Sequence, residues 1–255
     1  MRFQGKTAIV TGASKGMGRA IAQRLGWDGA NVVLAARDQT QLEEVVAEIG
    51  PHAASIALDL REKDSPARVV DFAHSRFGAI DIVVNNAGAT KRGEFEELSD
   101  DDFLDGFALK YFGAVRMTRA AWPHLRASKG SLLNISGIGG KKPGRQFTIG
   151  GSVNAALLSF TKAMAELGIK DGVQVNLVNP GTIRTARFQH RLNAMAKEQN
   201  LDPDVAEAAY VKEQRVTRIG EPEEIASLVA FIVSKEGRFM HGSLVDMDGG
   251  ATKSI

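Results

Sequence analysis

The stretch Thr7-Ala8-Ile9-Val10-Thr11-Gly12-Ala13-Ser14-Lys15-Gly16-Met17-Gly18 decides the fold expected for this sequence. Its first residues are an apolar run that predicts a short β-strand, its glycines predict a turn, and residues 19–25 have helical spacing. A glycine-rich turn between a strand and a helix lets backbone N–H groups approach a pyrophosphate, and the helix dipole favours the negative charge. Taken alone, the motif is as consistent with an ordinary turn as with a nucleotide site.

The alternation of strand and helix continues along the chain. We predict further strands at residues 31–36, 54–58, 81–84, 131–135, 173–178 and 244–247, and helices near 39–49, 65–77, 103–126 and 152–168. Such an order indicates a parallel sheet covered on both faces, with sites outside the carboxyl ends of the strands. The expected fold is therefore α/β, a Rossmann-type doubly wound parallel sheet in a single domain over residues 1–255. Residues 184–218 form a polar, helix-prone insertion that we expect to act as a substrate lid.

Composition excludes several classes of protein. The chain has 44% hydrophobic and 24% charged residues, as an ordinary globular protein does. It has no cysteine, which excludes disulfides, thiolate metal sites and cysteine nucleophiles, and its histidines lack the carboxylate spacing of a metal site. The net charge of +2 is spread along the chain and predicts no nucleic-acid partner. No apolar run is long enough for a signal peptide or a membrane span, so we expect a cytoplasmic protein without a membrane partner.

Several further motifs follow the glycine turn in a fixed order. They are Asp59-Leu60 after the third predicted strand, Asn85-Asn86-Ala87-Gly88 after the fourth, Pro180-Gly181-Thr182-Ile183-Arg184-Thr185 after the sixth, then residues 218–225 and Asp248-Gly249-Gly250. Together with the spacing Gly-x-x-x-Gly-x-Gly at 12–18, this series resembles the short-chain dehydrogenase/reductase family over nearly the whole chain. Any one of these motifs is consistent with a turn alone, but chance does not readily produce the set.

The resemblance implies a bound nicotinamide dinucleotide, a small-molecule substrate and a homotetramer or homodimer. It implies that the cofactor phosphates lie on the glycine turn, which contributes Gly12, Ser14, Lys15, Gly16, Met17 and Gly18. Asp59 and Leu60 are expected beside the adenine, and Asn86, Ala87 and Gly88 along the adenosine ribose. The nicotinamide and its phosphates are expected beside Pro180, Gly181, Ile183 and Thr185.

The choice between NAD and NADP depends on the ribose 2′ position, where a carboxylate would accept from the NAD hydroxyl and repel the NADP phosphate. In the family register that acid would stand at Ala36. Arg37 and Lys15 instead offer two cations, which suit a 2′-phosphate. Asp38 is the counter-argument, since a shift of one or two residues would bring it to the ribose. We expect NADP rather than NAD.

The positions that carry hydride-transfer chemistry in the family hold other side chains here. Family members use a serine, a tyrosine and a lysine, with an asparagine on the neighbouring helix. In an ungapped alignment, the first three positions fall on Gly137, Gly150 and Asn154, and the asparagine position falls on Lys110. A shifted alignment restores none of them: Ser136 is one residue early, Phe147 has no proton to give, and Lys162 lies two helical turns beyond Asn154. We interpret the chain as an atypical member without the usual Ser-Tyr-Lys set.

Asparagine and lysine have exchanged places, which would keep a cation in the active site. We therefore expect Lys110 and Asn154 to be catalytic, although Lys110 could instead extend along an apolar helix to the surface. A proton donor would still be needed, and Tyr210 or His190 in the lid could supply it, unless both are merely solvated. We expect no metal site.

These observations favour an NADP(H)-dependent oxidoreductase that acts on a small carbonyl or alcohol through a non-standard catalytic site. Two alternatives stay open. One is a catalytically inert NADP-binding pseudoenzyme or sensor. The other is a lyase- or hydratase-type enzyme that uses Lys110 for proton chemistry on the same fold.

Overall fold

The computed structural model of the chain describes residues 1–253. Its centre is a parallel sheet that contains, in the described chain, seven strands in the order β3-β2-β1-β4-β5-β6-β7. The strands are β1 Thr7–Thr11, β2 Asn31–Ala36, β3 Ala53–Ala57, β4 Ile82–Asn85, β5 Ser131–Ile135, β6 Gln174–Pro180 and β7 Leu244–Met247. The expected α/β doubly wound parallel sheet is confirmed. Because the chain leaves β1 in one direction and returns to β4 on its other side, the sheet has a switch point there, where ligands of such sheets bind.

Helices connect the strands. They are α1 Gly16–Trp27, α2 Gln39–Ile49, α3 Ser65–Phe77, α4 Asp100–Gly106, α5 Gly113–Ser128, α6 Thr148–Asp171, α7 Ala186–Glu198, α8 Pro203–Gln214 and α9 Pro222–Ile232. A π-helical turn, Phe107–Phe112, joins α4 to α5, so the one long helix expected near 103–126 is divided into three parts. Helix α9, which was not among the predicted helices, begins at a proline that follows Glu221, and Glu221 and Glu224 form a capping box there.

The core lies on both faces of the sheet. In β1, Ala8 and Val10 pack into one buried cluster with α1 and α9, whereas Ile9 packs into the opposite cluster with α3 and α5. This alternation follows from the period of two in a strand, and burial on both faces explains why the strand sequences are almost continuously apolar. The sheet is therefore a rigid support for the loops at its carboxyl edge.

Helices α7 and α8 lie within the predicted insertion at 184–218. They share a small buried cluster that includes Phe188, Leu192 and Ala206, apart from the two main clusters. Their first turns are capped by side chains, since Thr185 accepts from the N–H of Phe188 and Asp202 from that of Asp204. The insertion is thus an α-helical hairpin with its own apolar contacts. No helix in residues 1–253 has the length and apolar character needed to cross a membrane.

Candidate active site

The glycine turn after β1 brings three backbone segments into close contact. Gly12 and Gly16 have φ values of +66° and +55°, which favour glycine. A Cβ on Gly12 would lie 2.9 Å from the Cα of Ala87, and a Cβ on Gly18 would lie 2.1 Å from the carbonyl oxygen of Gly12. The turn, the start of α1 and the segment after β4 therefore tolerate no side chains at these contacts.

The segment after β4 is tied to this turn by hydrogen bonds. The hydroxyl oxygen of Thr11 accepts from the N–H groups of Asn86 and Ala87, both at 3.0 Å. The amide nitrogen of the Asn86 side chain donates to the carbonyl oxygen of Thr11 at 3.0 Å. The preceding residue, Asn85, is buried and donates to Asn134 in β5. The Asn-Asn-Ala-Gly motif thus holds β1, β4 and β5 in register at the carboxyl edge.

The first turn of α1 has unsatisfied donors. Lys15 precedes the helix, and its side chain does not cap it. The first N–H of α1 that donates to a carbonyl oxygen is that of Arg19, whose acceptor is Lys15. Within residues 1–253, the N–H groups of Gly16, Met17 and Gly18 have no protein acceptor. Three N–H groups at the positive end of a helix dipole form a site for an oxyanion such as a pyrophosphate.

Two exposed cations lie at the edge of this turn. Lys15 is exposed, and 68% of the Arg37 side chain is accessible, with its guanidinium 4.0 Å from a carboxylate oxygen of Asp59. Asp38, the acid that would have favoured NAD, caps α2 by accepting from the N–H of Gln41 at 3.1 Å. Its carboxylate is therefore engaged with the helix.

Asp59 has a second cation beside it that sequence reasoning missed. Arg61 donates through its N–H to Asp59 and pairs through its guanidinium with Asp105 in α4. The Asp105 hydrogen bond is the main reason why the pKa of Arg61 is raised. The adjacent Leu60 is buried in the core beneath α3 and α5. Asp59 and Leu60 thus lie in a firmly held loop after β3.

The segment after β6 runs from the sheet into the helical hairpin. A Cβ on Gly181 would lie 2.7 Å from the Cα of Asp248, so Pro180-Gly181 passes close to the loop after β7. Ile183 is buried and pairs with Gly220 in an isolated β-bridge. Thr185 lies next to the glycine turn, since a Cβ on Gly16 would be 3.2 Å from its methyl carbon. The glycine turn, the Asn-Asn-Ala-Gly motif and the segment after β6 therefore meet at the carboxyl edge near β1.

Lys110 and Asn154 contact each other directly. The Nζ atom of Lys110 donates to Oδ1 of Asn154 at 2.6 Å and to the carbonyl oxygen of Ser136 at 2.8 Å. Lys110 lies in the π-helical turn, a local geometry that is frequent at functional sites. Burial of the ammonium, and then the nearby charge of Arg187, lowers the pKa of Lys110 to about 7. The two hydrogen bonds direct the Nζ atom inward, while part of the side chain keeps contact with solvent.

Glycines and one phenylalanine surround this pair. A Cβ on Gly137 would lie 3.1 Å from the side-chain nitrogen of Asn154. A Cβ on Gly150 would lie 2.0 Å from two ring carbons of Phe147, so that ring fills the space beside Gly150. The hydroxyl of Ser136 donates to the carbonyl oxygen of Asn154 at 3.2 Å and is engaged by the helix backbone. We refer to Lys110, Gly137, Phe147, Gly150 and Asn154 together as the candidate site.

Tyr210 is placed in the helical hairpin. Its hydroxyl lies 2.9 Å from that of Thr182 and accepts from the guanidinium of Arg191 at 2.7 Å. In residues 1–253, no hydrogen bond joins Tyr210 to Lys110 or Asn154. His190, the other proposed donor, is exposed on α7.

Sequence reasoning also missed three arginines near the candidate site. The guanidinium carbon of Arg92 lies 3.8 Å from the centre of the Phe147 ring. Arg187 donates to the carbonyl oxygen of Gly88, while Arg191 bonds to Tyr210. The spacing of Arg187 and Arg191, four residues apart in a helix, would have placed both on one face. No comparable pattern marks Arg92, which follows β4 in a loop.

Comparison with known proteins gives consistent matches over the whole chain. The family model described as enoyl-(acyl carrier protein) reductase matches residues 12–252. An uncharacterized oxidoreductase of Mycobacterium tuberculosis is 33% identical, with 98% of this chain and 94% of the relative covered. The meso-2,3-butanediol dehydrogenase of Serratia marcescens is 31% identical, with 100% and 97% covered.

A solved structure agrees with these relatives. The L-sorbose reductase of Gluconobacter frateurii, in complex with NADPH and L-sorbose, superimposes with a TM-score of 0.94 at 31% identity, with 100% of both chains covered. The family model itself extends from the glycine turn to the loop after β7. Together with the parallel sheet, its switch point and the motifs gathered there, these similarities show that the chain belongs to the short-chain dehydrogenase/reductase family.

Proposed function

We propose that this protein is an NADP(H)-dependent oxidoreductase that acts on a small carbonyl or alcohol through an atypical catalytic site. The observation that carries the proposal is the 2.6 Å contact between Lys110 Nζ and Asn154 Oδ1 at the carboxyl edge of the sheet. In the family register these two side chains occupy each other's positions. The exchange keeps a cation and an amide in direct contact at this edge of the sheet.

The residues at the sheet edge fit a dinucleotide. The unpartnered N–H groups of Gly16, Met17 and Gly18 suit its pyrophosphate, and the absence of side chains at Gly12 and Gly18 permits the close backbone contacts of the turn. Asp59 and Leu60, with the Asn86–Gly88 segment, would hold the adenosine half. Pro180, Gly181, Ile183 and Thr185 would hold the nicotinamide half.

NADP is favoured over NAD by the charges at the edge of the turn. Lys15 and Arg37 are exposed cations, whereas Asp38 caps a helix. The carboxylate of Asp59, 4.0 Å from the Arg37 guanidinium, is also paired with Arg61. A 2′-phosphate would accept charge-assisted hydrogen bonds from Lys15 and Arg37. The NADPH complex of the sorbose reductase supports the same cofactor.

The cofactor, when bound, would supply the hydride that reduces a carbonyl carbon. The chain's own part is the proton for the carbonyl oxygen, and we assign it to Lys110. A protonated lysine has three N–H donors, of which two are used on Asn154 and Ser136, so one is left for a substrate oxygen. A pKa of about 7 suits a group that gives up a proton near neutral pH and recovers it from water.

Asn154 would act as a positioning residue, since its Oδ1 fixes the Nζ atom of Lys110. Helices α7 and α8 would form the lid, with Tyr210 on its inner side holding Arg191 and Thr182. Lid closure would exclude water from the reacting oxygen.

The oligomeric state stays a prediction.

Turnover of NADPH with a panel of small aldehydes and ketones tests this proposal. We expect cofactor oxidation with at least one carbonyl, and a loss of about 100-fold or more in Lys110→Met, the range of general acid catalysis. The matched control is Lys162→Met, which removes an exposed lysine from α6. NADPH binding without turnover would favour the inert alternative, and substrate conversion without net cofactor oxidation would favour the lyase or hydratase.

A further inference from the structure

Three arginines lie near the candidate site, and together with its lysine they form what we call the cation cluster: Lys110, Arg92, Arg187 and Arg191. Arg92 stacks on the Phe147 ring. Arg187 donates to the carbonyl oxygen of Gly88, and the aliphatic part of Lys110 lies against the same glycine, since a Cβ there would be 2.9 Å from Lys110 Cδ. Arg191 is bonded to Tyr210 at the lid.

The members of the cation cluster are close enough for their charges to act on one another. Desolvation and then the charge of Arg191, with a further contribution from Arg187, lower the pKa of Arg92 below its ordinary value. The charge of Arg187 likewise contributes to the lowered pKa of Lys110. Like charges held together without an anion between them repel, so this arrangement costs free energy.

Carboxylates are missing from the cluster, although neighbouring arginines have them. Among residues 1–253, no Asp or Glu forms an ion pair with any of the four cations. In contrast, Arg184 at the base of the lid is bonded to Glu207 and Glu221, and Arg218 to Glu224. The chain thus neutralises the structural arginines of the lid and leaves those around the candidate site without a counter-ion.

We infer that the substrate carries an oxyanion, a carboxylate or phosphate, which Arg92 and Arg191 bind while its carbonyl lies at Lys110. The inference rests on the proposed function for the position of the reacting carbonyl. The planar guanidinium presents paired donors that match both oxyanions. Arg92 lies on the Phe147 side and Arg191 on the lid side, so an anion between them would link lid closure to substrate binding.

Arg187 is less diagnostic than Arg92 and Arg191. Arg187 lies two residues after Thr185, whose methyl group is near Gly16 of the glycine turn. A cofactor phosphate on that turn would therefore also be a suitable partner for the Arg187 guanidinium. Arg92 and Arg191 are therefore the residues to change. A test must measure the binding of the cofactor and the binding of the anion separately.

Isothermal titration on the NADPH-saturated protein provides that test. The probes are malonate and glycerol 3-phosphate, with glycerol as the neutral comparison, and a second series compares NADPH oxidation with 2-oxobutyrate, dihydroxyacetone phosphate and butanone. We expect at least one anionic probe to bind tenfold or more tightly than glycerol. Arg92→Gln and Arg191→Gln should each weaken that binding about tenfold or more, with the NADPH Kd within threefold of the parent.

The matched control is Arg145→Gln, because Arg145 is 85% accessible and lies 3.9 Å from Glu94. If malonate and glycerol 3-phosphate bind no better than glycerol, or if both arginine variants behave like Arg145→Gln, the inference is wrong while NADPH turnover can still support the proposed function. Failure to bind NADPH would overturn the proposed function. The anion titration would then be carried out on the protein without cofactor, where the same arginine variants test the inference. A preference for malonate over glycerol 3-phosphate would assign the oxyanion as a carboxylate, and the reverse as a phosphate.

Discussion

Replacing Lys110 by Met should change the pH dependence of stability in a predictable direction. The pKa of Lys110 falls from 10.5 to about 7 on folding. Below pH 7 both the folded and the unfolded chain hold the proton, so the whole cost of burying the charge is present. Between pH 7 and 10.5 the unfolded chain binds more protons than the folded one, and stability rises with pH. Above 10.5 the cost is gone.

The magnitude follows from the same two values. At 1.36 kcal/mol per pKa unit, the fall from 10.5 to about 7 corresponds to about 5 kcal/mol. The Lys110 side chain keeps some contact with solvent, so we expect about half of this, about 2 to 3 kcal/mol, to be measured. Methionine also leaves Asn154 Oδ1 and Ser136 O without their donor, but that cost is nearly independent of pH.

Urea denaturation at pH 6, 8 and 9.5, followed by tryptophan fluorescence, measures the effect. The free energy of unfolding of Lys110→Met relative to the parent should be most favourable at pH 6 and should decline by about 1 to 2 kcal/mol toward pH 9.5, which is one unit short of the unfolded pKa of 10.5. Lys162→Met, exposed on α6, should show no such decline. A constant difference between Lys110→Met and the parent over this range would refute the assignment of a buried ammonium.

Three further predictions follow from the candidate site and the glycine turn. The rate of carbonyl reduction should decrease as pH rises above about 7, because the amine form of Lys110 has no proton to give, and a flat profile from pH 6 to 9 would exclude this role. Gly150→Tyr should displace the Phe147 ring without a strong gain in alcohol-dehydrogenase activity over the parent, since the serine and lysine positions still hold Gly137 and Asn154, and such a gain in steady-state kinetics would contradict the rebuilt site. Arg37→Ala should reduce the difference between the thermal shifts produced by NADPH and NADH, and an unchanged difference would remove Arg37 from the 2′-phosphate site.

Much of the fold could be predicted from local pattern. The strands at 31–36 and 131–135 and the helices at 39–49 and 65–77 have the predicted bounds, because apolar runs define the strands and a glycine follows the last residue of each helix. Helix α6 begins at Thr148 rather than near 152. Gly150 and Gly151, which suggested a helix boundary, are buried inside the helix. The π-helical turn at Lys110 was not predictable, because it depends on a shift in backbone hydrogen bonds that leaves side-chain periodicity almost unchanged.

In the candidate site, too, some features could be predicted from the sequence and others could not. The family register predicted that Lys110 and Asn154 are both catalytic, which stays a prediction, and the structure shows a 2.6 Å contact between them. The stacking of Arg92 on Phe147 joins a loop after β4 to the start of α6, and no spacing rule connects two such segments. Long-range pairs of this kind arise from the tertiary fold. They therefore appear only when the structure is known.

Transfer of deuterium from NADPH labelled at nicotinamide C4 tests the central claim most directly. The protein and Lys110→Met are each incubated with the labelled cofactor and 2-oxobutyrate or butanone, and the alcohol product is measured by mass spectrometry. We predict deuterated alcohol with the parent protein and a rate at least about 100-fold lower with Lys110→Met, at an NADPH Kd within threefold. Label transfer at the same rate in both proteins, or no transfer to any carbonyl by a protein that binds NADPH, would contradict the account.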